Sequence, residues 1–384
     1  MMFSNINNRK MNTIMRNIQK YILPSITGRG SGVGILLLLL CIPFFISCND
    51  EWTEEQYEQY ISFKAPLNDN GVTAIYVPYT RKDANGNPTY GVNGLSHYEL
   101  PVLVSGTTDN EKDLLVQLGH SDTLAQLNYE RFGNPAYRAD IVDLYYKDMD
   151  DHTANPTAPT ATYPSSISIP KGQNLSLLKI NFDFRGVDMV DKWVLPIEIK
   201  PGEGYQAHPR KNYAKAMLRV YPYNDYSGNY SATTLTLSNV LAPGAATGME
   251  TARAYVADEN TVFFYAGNID ESRVDRHLYK IFFRFVPSAT NANSGTVVLS
   301  SDNAAANLFA DNSTGTTSYE IYEQRDDVKP WLMHHYVIIK GINYNFTDYT
   351  SAPTNPMGYN VKGTLTLERQ LNTQIPDEDQ AIQW

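Results

Sequence analysis

Beyond residue 60 the apolar positions alternate with polar ones in short runs, and nowhere do they keep up a sustained helical period. Period-two runs of this kind are strands with one buried face. In the first half they fall at Tyr60 to Phe63, Thr73 to Val77, Tyr98 to Val104, Asp113 to Leu118, Ser166 to Ile169, Leu175 to Phe184, Trp193 to Lys200 and Ala214 to Tyr221. Asn68-Asp69-Asn70-Gly71, Asn85-Gly86-Asn87-Pro88, Lys171-Gly172 and Pro201-Gly202 separate them with strong turn chemistry. Eight such strands predict a β-sandwich of immunoglobulin type over residues 61–222. Ser121 to Tyr129 reads as a short helix, and Asp148 to Pro164, rich in Asp, Thr, Ala and Pro, as a long exposed loop.

After a linker at Tyr223 to Tyr230, strands recur at Tyr230 to Leu237, Arg253 to Ala257, Thr261 to Ala266, Leu278 to Val286, Gly295 to Ser300, Thr317 to Tyr322, His334 to Asn343 and Asn360 to Glu368. Asp270 to His277 is the one helical stretch here, with Asp270 as its cap. Residues 223–384 are therefore expected to form an antiparallel β-barrel or a second sandwich. Thr234-Leu235-Thr236-Leu237 and Thr364-Leu365-Thr366-Leu367 bracket the region in matching phase. In a barrel such end strands pair and remove an exposed edge. The whole chain reads as all-β.

The start of the chain follows another pattern. Gly34 to Ile46 is a continuous apolar run, too short to span a bilayer comfortably, and every charge before it is positive: Arg9, Lys10, Arg16, Lys20 and Arg29. It ends in Phe45-Ile46-Ser47-Cys48, a small residue before a cysteine that can be acylated. This is the pattern of a bacterial lipoprotein signal over residues 1–47, with Met11 and Met15 as alternative starts. Acyl chains on Cys48, at about 0.8 kcal/mol per buried methylene, would anchor the protein in outer-membrane lipid without a transmembrane helix. Residues 48–60, with Glu51, Glu54, Glu55 and Glu58, read as an acidic tether.

Cys48 followed by Asp50 and Glu51 resembles the surface-export signal of Bacteroidota lipoproteins, which implies a location on the outer face of the outer membrane. Leu100-Pro101-Val102 with Gly106, Leu127-Asn128, Ile169-Pro170-Lys171-Gly172 and Trp193-Val194-Leu195-Pro196-Ile197-Glu198-Ile199 are similar to a domain of unknown function at the N-terminus of many of these lipoproteins. The second half looks like their uncharacterised all-β C-terminal type. The resemblance implies an accessory of polysaccharide utilisation that holds an extracellular glycan for a neighbouring transporter complex or enzyme.

Composition narrows the chemistry. The net charge is −10, and about −15 once the basic leader is removed. Such a surface repels nucleic acid, and it disfavours polyanionic glycans unless a local basic patch exists. Cys41 and Cys48 are the two cysteines, one inside the signal and one at the lipid site, so no disulfide is expected in the mature chain. The unusual excess is aromatic, with 27 Tyr, 14 Phe and 4 Trp. No Gly-x-Ser-x-Gly, P-loop or His-Glu-x-x-His motif occurs, and neither cofactor nor metal is expected.

Glycoside hydrolysis is the activity to weigh first. A chitinase-like barrel needs alternating strands and helices, and its Asp-x-x-Asp-x-Asp-x-Glu motif has only an echo in Asp140-Ile141-Val142-Asp143, where Tyr145 and Lys147 replace the later acids. A hydrolase of another type and a structural or adhesive protein working through sheet edges stay open as alternatives. The non-catalytic glycan reading rests on ring and amide chemistry, since sugars present C–H faces to aromatic rings and hydroxyls to polar side chains. Trp193, alternating with Leu195 and Ile197, reads as core. Trp331 follows Asp326, Asp327, Lys329 and Pro330 in a polar loop, with Tyr322, Arg325, Asn343, Tyr344 and Tyr349 near it in sequence. These six are the candidate glycan-binding residues.

Overall fold

The computed structural model describes residues 57–375 apart from positions 157, 211, 311, 314 and 315. The expectations for Cys48, Asp50, Glu51 and the signal lie outside the described residues. Among those described, no helix is long and apolar enough to cross a membrane.

The first lobe holds ten strands and one α-helix among the described residues. In chain order they are β1 (Ile61–Phe63), β2 (Thr73–Pro78), β3 (Leu95–Val104), β4 (Leu114–His120), α1 (Thr123–Phe132), β5 (Tyr146–Asp148), β6 (Thr160–Thr162), β7 (Ser166–Ile169), β8 (Leu175–Asp183), β9 (Lys192–Ile199) and β10 (Lys215–Tyr223). One sheet runs β1-β3-β8-β6 and the other β2-β10-β9-β4-β7, with β5 alongside β9. Their inner faces interdigitate as a sandwich. Leu178, Ile180 and Phe182 of β8 meet Trp193, Leu195 and Ile197 of β9, while Leu175 and Leu177 face solvent. Trp193 is core, and its indole N–H donates to the Asp188 carbonyl at 2.9 Å.

β9 and β10 carry apolar residues on both faces because both are covered. Ala216, Leu218 and Val220 of β10 enter the sandwich, while Val194 and Met217 turn outward to meet Leu124 of α1 and Tyr146. The Asn128 side chain pins α1 to β5: its amide donates to the Tyr146 carbonyl and accepts from the Tyr146 N–H, both at 2.9 Å. Further along this outer face α1 stops, and Arg219, Tyr221 and Tyr76 come next.

The second lobe comprises β11 (Gly228–Ser231), β12 (Thr236–Asn239), β13 (Ala242–Gly248), β14 (Thr251–Asp258), β15 (Thr261–Tyr265), β16 (Lys280–Pro287), β17 (Ser294–Ser300), β18 (Phe309–Ala310), β19 (Ser318–Arg325), β20 (Leu332–Asp348) and β21 (Met357–Asn372). It is a closed barrel. β11, β14, β15, β16, β17, β19, β20 and β21 form an antiparallel ring, closed where Tyr230 and Ser231 of β11 pair with Leu367 and Thr366 of β21. The two Thr-Leu-Thr-Leu segments lie at this seam, with all four leucines buried and the Thr234 hydroxyl donating to the Thr364 carbonyl at 2.9 Å. Gly363 allows the approach: its φ is +143° and a Cβ there would fall 2.2 Å from the Thr234 carbonyl oxygen. Tyr230, Phe264, Phe283, Phe285 and Phe346 fill the interior.

Three local expectations change. Asp270 to His277 is not an α-helix: the Asp270 carboxylate takes the Ser272 N–H at 2.8 Å in a turn, and only Arg276–Tyr279 forms a 3-10 turn. Side-chain bonds decide this, because Arg273 is drawn to Asp275 and Asp348 and Arg276 to the first lobe. The loop at Asp148 to Pro164 contributes β6 to a sheet edge. β12 and β13 form an extra hairpin outside the ring.

The lobes share a tight junction. Tyr255, Val256 and Phe263 of the barrel join the sandwich core. Arg276, 1% exposed, donates to the carbonyls of Asp143 (2.8 Å) and Val190 (2.9 Å). Lys280 meets Asp188 at 2.8 Å, and Lys82 meets Glu259 at 2.7 Å.

Candidate functional site

The six residues grouped by sequence do not form one surface. Trp331, Tyr322 and Arg325 lie at the β19–β20 hairpin end. Trp331 is 41% exposed, and its carbonyl accepts from the N–H and hydroxyl of Thr373. Tyr322 stands on the outer face opposite Tyr336, rings stacked at 4.8 Å, with His334 continuing the stack at 6.2 Å. Strand alternation turns Arg325 to the opposite face. Asn343, exposed in mid-strand, accepts from the Asn360 amide at 3.0 Å.

Tyr344 points into the barrel, 4% exposed, and its hydroxyl accepts the Gly267 N–H at 3.2 Å. Burial pushes its phenol up to about 12. Tyr349 lies at the far end of β20, packed against Tyr279, its hydroxyl accepting from the Asn303 amide at 2.9 Å. The 17 residues of β20, at about 3.3 Å each, put about 56 Å of strand between Trp331 and Tyr349.

The hairpin end has its own polar set. His334 sits between Glu368 (2.6 Å) and Asp326 (3.1 Å), which together raise its pKa. The Asp326 carboxyl is held down to about 2, first by the Lys329 N–H and then by His334. Tyr322 and Tyr336 cover each other's faces, so the strip offers ring edges and a single exposed Trp331.

A denser constellation lies at the lobe junction, on the outer face of β2, β10 and β9 where α1 ends. Tyr76 and Tyr221 are register partners across β2 and β10, with rings 5.4 Å apart and 22° from parallel. The Arg219 guanidinium lies 4.9 Å from the Tyr221 ring centre and 6.0 Å from that of Tyr146. From the barrel, the Arg253 guanidinium lies 5.0 Å from the Tyr221 ring and 5.3 Å from the Tyr255 ring. Glu271 is 3.7 Å from Arg253 and accepts the Tyr255 hydroxyl at 2.8 Å. These barrel residues, with Tyr265 and Asp270, line a cleft of about 450 Å³.

Electrostatics fix what these groups can do. Burial works against the charge on Glu271, but Arg253, the Tyr255 hydroxyl, Arg219 and Lys192 outweigh it and hold the carboxyl below its ordinary range. The Ser272 hydroxyl and N–H lower Asp270 as well. Burial pushes the Lys192 amine down to about 8, opposed by Glu271 and reinforced by Arg219, Arg276 and Arg131. The cleft thus presents the Arg253 guanidinium, two ionised carboxylates and phenols, which are groups for holding hydroxyls and charges. Neither carboxyl is tuned to deliver a proton, as the acid of a glycosidase must.

Sequence reasoning missed this site because its members come from distant stretches. Tyr76, Lys192, Arg219 and Tyr221 sit in ordinary strand runs, and only the outward parity of Arg219 and Tyr221 beside the apolar Leu218 and Val220 hinted at a covered second face.

The fold and cleft define a class: two-lobed all-β proteins, a sandwich packed on a closed barrel, with polar groups of both lobes meeting at their junction. A family model described as a domain of unknown function, DUF4973, matches residues 52–203, and one described as a C-terminal domain matches residues 214–366. An auxiliary nutrient binding protein from Bacteroides thetaiotaomicron has a similar solved structure, 43% identical, with a TM-score of 0.73, covering 85% of this chain and 100% of that one. A multidomain protein including DUF1735 from Bacteroides ovatus is 34% identical over 85% of this chain and 100% of that one, with a TM-score of 0.67. A protein of unknown function from Bacteroides ovatus is 33% identical over 87% and 98% respectively, with a TM-score of 0.68. The chain belongs to the family of these Bacteroides proteins. No curated protein matches it.

Proposed function

We propose that this protein is a cell-surface lipoprotein that binds an extracellular glycan or glycan fragment without cleaving it. In this reading Cys48 carries the lipid, Asp50 and Glu51 direct export to the outer face, and the bound sugar passes to a neighbouring transporter complex. The observation that carries it is the cleft at the junction, a concave space of about 450 Å³ lined by Arg253, Tyr255 and Glu271 of the barrel, whose Arg253 also lies over the Tyr221 ring of the sandwich. That volume suits a small ligand. The relative described as an auxiliary nutrient binding protein supports a binding role. The ionised state of both Asp270 and Glu271 argues against hydrolysis.

Affinity electrophoresis of the purified protein against a panel of polysaccharides tests this reading. Retardation by at least one glycan is expected, lost in Tyr221→Ala and Arg253→Ala variants whose circular dichroism is unchanged, with no reducing sugar released. Retardation by none of the panel, or release of reducing ends, would remove it. For the anchor, palmitate labelling should vanish in Cys48→Ala, and protease added to whole cells should digest the wild type.

Adhesion by strand addition is the competing reading. Its natural surface is β13, exposed at every position on the sheet edge. Pro243, which has no N–H to donate, blunts that edge.

A further inference from the structure

Arg219 differs from the other buried arginines. Arg276 and Arg369 are also nearly inaccessible, and each donates to two or more carbonyls. Arg219, 3% exposed, has no partner for its Nε or its Nη1. Buried guanidinium forks are ordinarily met by carboxylate or carbonyl oxygens. What surrounds this one is the faces of Tyr221 and Tyr146 and other cations. Arg253 shares the Tyr221 ring, Arg131 shares the Tyr146 ring at 5.7 Å, and Lys192 lies beyond over Phe132 at 5.8 Å. The Lys192 ammonium forms no hydrogen bond or ion pair among the described residues.

Two carboxylates face this group, and both are already engaged: Glu271 by Arg253 and Tyr255, and Asp270, which feels Lys192, by the Ser272 N–H. Four cations, Arg219, Arg253, Arg131 and Lys192, against two anions reverse locally the sign of a chain whose net charge is −10. Half-buried charge without a counter-charge is costly, so the arrangement lacks an anion.

We propose that the junction receives the anionic group of an acidic sugar, a uronate carboxylate or a sulfate ester, with Arg219 as the planar fork beneath it and Lys192 at the rim. This rests on the glycan-binding reading of the adjoining cleft, whose Arg253 shares the Tyr221 ring with Arg219, and adds the chemical class of the ligand. Planar bidentate recognition of either oxyanion is what a guanidinium offers and a neutral sugar does not need.

The test is titration calorimetry with matched pairs: a galacturonic acid trisaccharide against its carboxyl-reduced galactose form, and a chondroitin disaccharide with and without its sulfate. One acidic member is expected to bind, its neutral counterpart at least tenfold weaker, and the pair that discriminates identifies the oxyanion. Raising NaCl from ~0.05 to ~0.5 M should weaken the acidic ligand several-fold, because only a charged contact is screened. Arg219→Gln should cost about tenfold and Lys192→Gln about threefold. Lys192 has no bonds to lose, so its variant serves even if Arg219→Gln fails to fold. Equal binding of an acidic ligand and its neutral form overturns the inference but leaves the glycan reading intact, as does acidic binding unmoved by both substitutions. Failure of every acidic and neutral ligand removes both.

Discussion

Two aromatic and charged regions of this molecule are alike in composition and opposite in construction. At the β19–β20 hairpin end, Tyr322, Tyr336, His334 and Glu368 are held by strand register, each facing a cross-strand neighbour on an outer face. At the lobe junction, Tyr76, Tyr221, Arg219, Arg253 and Glu271 come from three strands and a turn of two lobes, and only the packed lobes bring them together. The hairpin neutralises its charges in pairs and shows edges and a lone indole. The junction pairs Arg253 with Glu271 but leaves the Arg219 guanidinium over ring faces without a partner for its Nε and Nη1. Satisfied polar groups stabilise a surface, whereas unsatisfied ones in a concave place are where an external partner gains most.

The comparison is broken most directly at Arg276. Replacing it by Ala strips donors from the Arg273, Asp143 and Val190 carbonyls, which should lower the urea unfolding free energy by about 3 kcal/mol. A loss below about 1 kcal/mol would mean the junction is not held by this clamp.

Tyr344→Phe removes one hydroxyl from the barrel interior and leaves the Gly267 N–H unpaired. It should cost about 1 kcal/mol of stability and leave glycan retardation unchanged. A change in retardation would return Tyr344 to the binding residues.

His334 makes the hairpin end pH-sensitive. Its folded pKa is raised by Glu368 and then Asp326, so its stabilisation is full below the unfolded value of about 6.5 and is lost as pH rises through the folded one. Melting temperature followed from pH 6 to 9 should therefore fall in the wild type by a small increment absent from His334→Gln. Superimposable profiles would show that the pair is screened by solvent.

Trp331→Ala should have the smallest effect, within about 0.5 kcal/mol of stability, and should leave glycan retardation as it was. Abolished retardation would move the binding site to the hairpin end, as the sequence expected.

Local chemistry was legible where it depended on neighbours in the chain. Alternation at Leu178, Ile180 and Phe182 and at Trp193, Leu195 and Ile197 marked core faces, and the matching Thr-Leu-Thr-Leu segments pointed to end strands that pair if the lobe closes, without deciding between barrel and sandwich. Proximity in sequence misled at Tyr344 and Tyr349. Gly341, at φ +70°, falls within a register shift of β20 after Ile339, and parity then turns Tyr344 inward while strand length carries Tyr349 to the other end. Asp270 to His277 looked helical because propensity ignores the buried destination of Arg276.

What the sequence alone determined is the kind of structure: period-two burial needs only the next residue but one, so strands, turns and an all-β fold follow from the chain read locally. What only the tertiary structure decided is which polar side chains share a space. The meeting of Arg253 with Arg219 over the Tyr221 ring, and with Tyr76 beside it, depends on how a sandwich docks on a barrel, and that docking is set by shape and buried area summed over both lobes.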